Sequence, residues 1–215
     1  MDQKILFLIN REWTNPVLDS FMALFSSFDA WIPPMLILIA LALWRGGFRA
    51  RIFILSALLT VGINDGIISR NLKHTVDRPR PHQAINEVRQ VDLAKATPRI
   101  LAIFKAPRVR FSKAADEDVE GRSFPSSHTI NTMSVALLAT FFYRRYGWLT
   151  FLPALCVSYS RVYTGSHWPS DVIISIFLGL GCTLVIFSGL EAAWRKWGAR
   201  WLPLVHAQHP SLLPA

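Results

Sequence analysis

Val172–Leu190 reads VIISIFLGLGCTLVIFSGL, nineteen residues without one charge. A helix that crosses a bilayer needs about 20 mostly apolar residues, so this stretch predicts a transmembrane helix. Ser175 and Gly179, four residues apart, predict a face on which a second helix approaches closely. Four further runs are expected to span beside it. Phe21–Trp44 is interrupted by Asp29 and Pro33-Pro34, so its span is expected to begin near Ala30 after a tilted or re-entrant lead-in. Ile52–Leu72 carries Asn64 and Asp65 in its middle. His128–Tyr143 and Trp148–Tyr163 are short, and with only Arg144-Arg145-Tyr146-Gly147 between them they are expected to pair antiparallel. Ile5, Leu6, Leu8, Ile9 and Trp13, flanked by Lys4, Arg11 and Glu12, fit an interfacial helix or, equally, a helix packed on the bundle. The expected fold is all-α: a polytopic membrane bundle of five transmembrane helices plus an N-terminal interfacial helix. One domain covers 1–215, with an extramembrane loop, 82–124, between the second and third spans.

Composition agrees with a membrane chain. Of 215 residues 52% are apolar and 17% charged, at a mean hydropathy of +0.31, which excludes disorder and fibrous repeats. The net charge of +9 invites nucleic acid, yet the basic residues fall in short clusters between apolar runs, so no nucleic-acid partner is expected. Cys156 and Cys182 sit in apolar runs and read as neither a disulfide nor metal ligands. Met1–Asn10 offers just five consecutive apolar residues, Ile5–Ile9, too few for a cleavable signal peptide. Nothing in the sequence specifies an oligomeric state.

Arg45, Arg49 and Arg51, then Arg144 and Arg145, then Arg195, Lys196 and Arg200 fall on one side of alternating spans, the cytoplasmic side by the positive-inside rule. The 82–124 loop and the Tyr163–Ser170 turn then face outward. The loop is itself basic: Arg89, Lys95, Arg99, Lys105, Arg108, Arg110, Lys113 and Arg122 stand against Glu87, Asp92, Asp116, Glu117, Asp118 and Glu120. A loop of this length is expected to gate an entrance, to contact headgroups or to be solvated.

Three polar clusters break the apolar pattern, all at outer ends of spans: Lys73–Pro81, Ser123–His128 and Ser160–Asp171. Lys73, Arg80 and Arg161 supply fixed positive charge, and an arginine can hold two phosphate oxygens at once. Pro125-Ser126-Ser127-His128 sits where a helix begins, so free backbone N–H groups point at an anion there. Asp171, four residues after His167, is expected to hold one imidazole nitrogen and expose the other as a nucleophile. His128 then fits the proton donor for a departing oxygen. Taken singly, each residue has a commoner explanation as a packed histidine, a snorkelling cation or an ordinary helix start. No such explanation covers all three clusters sharing one face.

These residues resemble the type 2 phosphatidic acid phosphatase (PAP2) superfamily of membrane lipid phosphatases. Its pattern K-x6-R-P, P-S-x-H, S-R-x5-H-x3-D is met by Lys73 to Arg80-Pro81, Pro125-Ser126-Ser127-His128, and Ser160-Arg161 to His167 to Asp171. Ten specified positions at about one in twenty each make coincidence negligible. The resemblance implies that His167 forms a phosphohistidine with Asp171 orienting it, and that His128 acts as general acid. It implies a phosphate cradle of Lys73, Arg80, Ser126, Ser127 through its N–H, and Arg161, and neither metal nor cofactor. Ser127 stands where the family often has glycine, which narrows the pocket but keeps the N–H. His74, Asp77 and Arg78 fall in the first motif's variable gap and are expected to be structural or loop-fixing. Asp65 is expected to pair within the bundle rather than touch catalysis.

The expected substrate is a lipid phosphate presented at the headgroup level, with the site on the periplasmic or extracellular face of a bacterial plasma membrane. Small members of the family with a short N-terminal helix resemble undecaprenyl diphosphatases, and Asn15-Pro-Val-Leu-Asp19-Ser is similar to that group. Phosphatidylglycerophosphate, phosphatidate and lipid A phosphates are the alternatives. A soluble haloperoxidase would share the anion cradle, but five lipid-length apolar runs oppose it. A non-enzymatic lipid-binding scaffold or transporter would not need both histidines.

Overall fold

The computed structural model describes residues 1–97, 99–113 and 122–213. Helix α1 (Asp2–Phe7) continues into a π-helical turn, Leu8–Glu12. Asn15 then caps α2 (Pro16–Ser26): its side chain accepts the Leu18 N–H at 2.9 Å and Pro16 takes the first helical position, where its missing N–H is not needed. The lead-in to the first span is therefore a separate helix, and Ser27 breaks the chain before α3 (Phe28–Arg45). Pro33 and Pro34 lie inside α3; they leave the Asp29 and Ala30 carbonyls without helical partners, but the helix continues through them. Helix α4 (Phe48–Ile63) passes through a π-helical segment, Asn64–Ser69, into α5 (Arg70–Val76).

A short helix, α6 (Pro81–Ala84), leads to an antiparallel pair of strands, β1 (Arg89–Asp92) and β2 (Arg108–Phe111), in the register Arg89 to Phe111. Then come α7 (Ser127–Phe142), α8 (Phe151–Tyr163), α9 (Pro169–Trp201) and α10 (Pro203–Gln208). Three stretches are long and apolar enough to cross a membrane: Phe28–Arg45, Phe48–Ala84 and Pro169–Trp201. Helices α7 and α8, with 16 and 13 residues, are shorter than a full span. The reason lies in packing. Helix α7 runs through the middle of the bundle and buries Ile130, Met133, Ala136, Leu138, Ala139 and Phe142 against α4, α8 and α9. By contrast α3 exposes Leu36, Ile37, Leu38 and Leu41, and α9 exposes Phe177 and Val185, as lipid-facing surfaces do.

Two glycines set the spacing of this core. A β-carbon on Gly179 would lie 2.7 Å from the Ile130 carbonyl oxygen, so α9 meets α7 backbone to backbone on the expected small-residue face. A β-carbon on Gly147 would lie 2.1 Å from the Ala139 carbonyl oxygen, which is why the turn returning the chain from α7 toward α8 needs glycine there. In mid-bundle, Asn64 donates to Ser134 Oγ at 2.9 Å, and Asp65 accepts from Asn131 at 2.8 Å, so Asp65 pairs with α7.

The 82–124 loop is neither free nor fully solvated at its base. Asn10 bridges it to the bundle, donating to the carbonyls of Arg89 (2.8 Å) and Tyr163 (2.6 Å) and accepting the Arg89 N–H at 2.8 Å. The Arg89 guanidinium grips both oxygens of Asp19 at 3.0 and 2.8 Å, and Tyr163 donates its hydroxyl to the same carboxylate at 2.7 Å. Val88, Val91, Leu93 and Ala102 are buried beneath, while all four residues of β2 are exposed. Leu6 packs with Val88, Val162, Trp168 and Val172, which makes α1 a helix docked on the bundle. Asp116, Glu117, Asp118 and Glu120 lie outside the described residues.

Candidate active site

The three polar clusters are stitched together by hydrogen bonds. Ser123 donates its N–H to the Arg78 carbonyl at 2.8 Å, Trp168 Nε1 donates to the Pro79 carbonyl at 2.8 Å, and Lys73 Nζ donates to Ser127 Oγ at 2.9 Å. His82 Nδ1 meets the Gly165 carbonyl at 3.0 Å. Gly165 itself has φ +69°, and a β-carbon there would lie 2.6 Å from the Arg89 carbonyl oxygen, so only glycine lets the third cluster tuck under β1. The site lies at the C-terminal ends of α5 and α8 and the N-terminal ends of α7 and α9.

Arg161, in the last turn of α8, is 7% exposed. Its Nη1 donates to the Ser26 carbonyl oxygen at 3.1 Å and to Ser26 Oγ, while its Nε finds no hydrogen-bond partner among the described residues. A buried guanidinium with an unanswered donor suits an oxyanion. Lys73, Arg80 and Arg161 all lie within electrostatic reach of His128, and Arg161, Arg80 and His128 within reach of His167. His128 is half-buried in the first turn of α7, with Phe28 edge-on to its ring at 6.1 Å.

His167 is 3% exposed, and its Nδ1 sits 2.6 Å from the Ser123 carbonyl oxygen. A carbonyl only accepts, so in the neutral ring Nδ1 carries the proton and Nε2 keeps its lone pair. Burial pushes this imidazole well below its ordinary range; the charges of Arg161 and Arg80 push the same way, against the Ser123 hydrogen bond. At neutral pH the ring is uncharged, the form a nucleophile needs.

Asp171 does not hold His167 directly, and the expected contact is corrected here. Its Oδ2 accepts from Ser123 Oγ at 2.5 Å and from the Trp168 N–H at 3.2 Å, and its Oδ1 accepts from Arg78 Nη1 at 2.5 Å. The cause is local: Asp171 is the third residue of α9, where an acidic side chain turns back to the free N–H at the helix start. Ser123 therefore links the two, its hydroxyl on Asp171 and its carbonyl on His167. Ser126 also differs from expectation. It is fully buried, its hydroxyl accepts from Thr129 Oγ1 at 3.1 Å, and its N–H donates to Ser175 Oγ at 2.9 Å. The open part of the helix start is Ser127 and His128.

Sequence reading gave no role to Ser26 or Phe28 and named Ser123 only as the start of its cluster. Ser26 and Arg161 are 135 residues apart and share no local spacing, so no periodicity connects them. Among the described residues no three His, Cys, Asp or Glu side chains are grouped to hold a metal ion.

The fold is that of an integral-membrane protein, with Lys73, Arg80, Arg161, His128 and His167 gathered at one set of helix ends. A sequence profile of the PAP2 superfamily matches residues 49–195. Over 99% of the chain there is 26% identity to the lipid A 4'-phosphatase of Porphyromonas gingivalis, covering 81% of that protein. Over 77% there is 28% identity to the undecaprenyl-diphosphatase BcrC of Bacillus subtilis, covering 72% of it. A shorter stretch of 76 residues is 36% identical to the bacitracin transport permease protein BcrC of Bacillus licheniformis, and the chain spans 37% of that protein's length. The crystal structure of Aquifex aeolicus LpxE shares the fold, with a TM-score of 0.59 over 87% of this chain and 94% of that one at 22% identity. The chain belongs to the PAP2 superfamily of membrane phosphohydrolases.

Proposed function

We propose that the protein hydrolyses the terminal phosphate of a lipid diphosphate, converting undecaprenyl diphosphate to undecaprenyl phosphate. The reading rests on His167: a neutral imidazole whose Nδ1 is fixed on the Ser123 carbonyl, with Nε2 left to attack phosphorus. In the first step Nε2 bonds to the terminal phosphorus, the bridging P–O bond breaks, and His128 gives its proton to the departing oxygen. A phosphate held among Lys73, Arg80 and Arg161 brings the negative charge that favours a proton on His128. Water then attacks the phosphohistidine, His128 takes the water's proton, and inorganic phosphate leaves. The Ser127 N–H and the three cations hold the equatorial oxygens through both steps. Asp171 acts on this chemistry through Ser123.

The basic groups at Arg45–Arg51, Arg144-Arg145 and Arg195–Arg200 lie at helix ends opposite those carrying the site. The positive-inside rule therefore supports a pocket on the periplasmic or extracellular face. A second reading, removal of a phosphate from lipid A, is favoured by the near full-length alignment with the P. gingivalis enzyme.

The test is a substrate panel with purified protein in detergent, scoring phosphate release from undecaprenyl diphosphate, lipid A, phosphatidylglycerophosphate and phosphatidate. Fastest release from undecaprenyl diphosphate is expected. Fastest release from lipid A replaces the first reading with the second, and release from none of the four refutes both.

A further inference from the structure

Arg78 lies between the motif residues Lys73 and Arg80, where the sequence predicts no more than a structural or loop-fixing role. Its surroundings say otherwise. Arg78 Nη1 donates to Asp171 Oδ1 at 2.5 Å and to Ser170 Oγ at 2.8 Å, and Nη2 donates to Asp2 Oδ2 at 2.7 Å. The Asp2 carboxylate also accepts the Ser170 N–H at 2.9 Å and the Ser170 hydroxyl at 2.5 Å. Trp168 lies beneath, its ring 5.1 Å from the guanidinium carbon. The second residue of the chain is thus tied to the first turn of α9.

We propose that Arg78 and Asp2 are positioning residues for the nucleophile, acting on His167 through Asp171 and Ser123; the proposal rests on the phosphohydrolase reading above. Each link is a short contact between named atoms. Asp2 fixes one arm of the guanidinium, the other arm fixes Asp171 Oδ1, Asp171 Oδ2 fixes the Ser123 hydroxyl, and the Ser123 carbonyl fixes His167 Nδ1. Arg78 closes the chain a second time, because its own carbonyl accepts the Ser123 N–H. Asp171 is fully buried, and Arg78 is the cation paired with it.

A fork is what this position requires. The two carboxylates approach different nitrogens of one planar group, a geometry a lysine ammonium cannot reproduce. Burial alone would raise the Asp2 carboxyl, but hydrogen bonds from Ser170 and Arg78 outweigh it and hold the group below its usual range. Asp2 is therefore ionised at neutral pH and keeps its grip on the guanidinium. Neither residue touches the Lys73, Arg80 and Arg161 cations, so their removal leaves anion binding intact and blurs only the aim of His167.

The test compares Arg78→Ala, Arg78→Lys and Asp2→Asn with wild type, using the preferred lipid phosphate from the panel. Arg195→Ala serves as control: it removes an exposed guanidinium paired with Glu191 at the far end of α9. Arg78→Ala is expected to lower kcat about 10- to 100-fold, the scale of an ångström-level misplacement, with KM and vanadate inhibition within about twofold of wild type. Arg78→Lys should recover only part of the loss, and Asp2→Asn should lower kcat by a smaller factor of about 2 to 10. Guanidinium at millimolar concentration should restore part of the Arg78→Ala rate, since the site is one-third exposed, and should leave Arg195→Ala unchanged. If Arg78→Ala does not fold, Asp2→Asn and Arg78→Lys carry the same kcat-against-KM test. An active wild type with unchanged kcat in these variants overturns the proposal, as does a loss confined to KM and vanadate affinity. A wild type inactive on every lipid phosphate instead removes the phosphohydrolase reading.

Discussion

Replacing Gly179 with alanine tests whether the α7–α9 contact sets the site. A β-carbon would sit 2.7 Å from the Ile130 carbonyl oxygen and 3.0 Å from its Cα, where ordinary contact begins at 3.4 Å. The helices must part by about 0.7 Å, and the obstructing atoms are backbone, so no side chain can swing aside. Overpacking of this kind costs about 1–3 kcal/mol, against roughly 0.5–1 kcal/mol gained when a helical glycine becomes alanine. Gly189, in the same helix with nothing within 4 Å, receives the gain without the clash. The two variants should therefore differ by about 1–3 kcal/mol, or roughly 2–12 °C in melting temperature for a chain of this size. His128 lies two residues before Ile130, so the displacement also reaches the pocket, and a loss of about tenfold in kcat is expected from a shift approaching 1 Å. Thermal unfolding in detergent and phosphate release measure the two effects. A Gly179→Ala protein as stable and as active as Gly189→Ala would refute the account of this contact.

Three further outcomes are expected. His167→Asn should abolish turnover, whereas His128→Ala should slow it by about 10² to 10⁴, the usual loss of an acid-base group; steady-state phosphate release measures both, and full activity in the His167 variant discards the mechanism. Asp19→Ala leaves the largely buried Arg89 guanidinium without its carboxylate and should destabilise the protein by about 3–5 kcal/mol, read as a lower melting temperature; a change within about 0.5 kcal/mol would show that the loop base is held without this ion pair. Because the folded pKa of His167 lies well below 6.5, the unfolded chain binds a proton that the folded chain refuses once pH drops under 6.5. This contribution to stability is present above that value and is lost as pH falls below it, so melting temperature should decline from pH 7 to pH 5. His167→Asn should flatten the decline, and an identical slope in both proteins would contradict it.

Much of this arrangement is written locally in the chain. The uncharged run of α9, the small residues Ser175 and Gly179 on it, and the tight turn ending at Gly147 are each set by neighbours a few residues away, and each is found as expected. Long-range partners are different in kind. Nothing within a few residues of Asp171 reveals that Arg78 answers it across 93 positions, or that Ser123 stands between it and His167. The spacing from His167 to Asp171 suggested a direct bond because both were counted along one helix, yet α9 begins only at Pro169 and turns the carboxylate back onto its own N-terminus. Loop charge likewise concealed β1: Arg89 is one of eight cations in a loop expected to gate an entrance, to contact headgroups or to be solvated, whereas its guanidinium meets Asp19 inside the fold. Helix α7 was legible as apolar but not as central, since burial by protein and by lipid select similar side chains.

The π-helical segment at Asn64–Ser69 determines more than the path of its own helix. A π turn contains one residue beyond the α-helical count, which rotates everything after it by about 100° relative to an uninterrupted helix. Lys73 follows four positions later and, in that phase, meets Ser127. Shortening the segment by one residue would therefore yield a more regular helix of nearly the same length, with its ammonium group aimed at the wrong neighbour. Regularity here is traded for angular register, and the Lys73–Ser127 contact inherits its direction from the irregularity that precedes it.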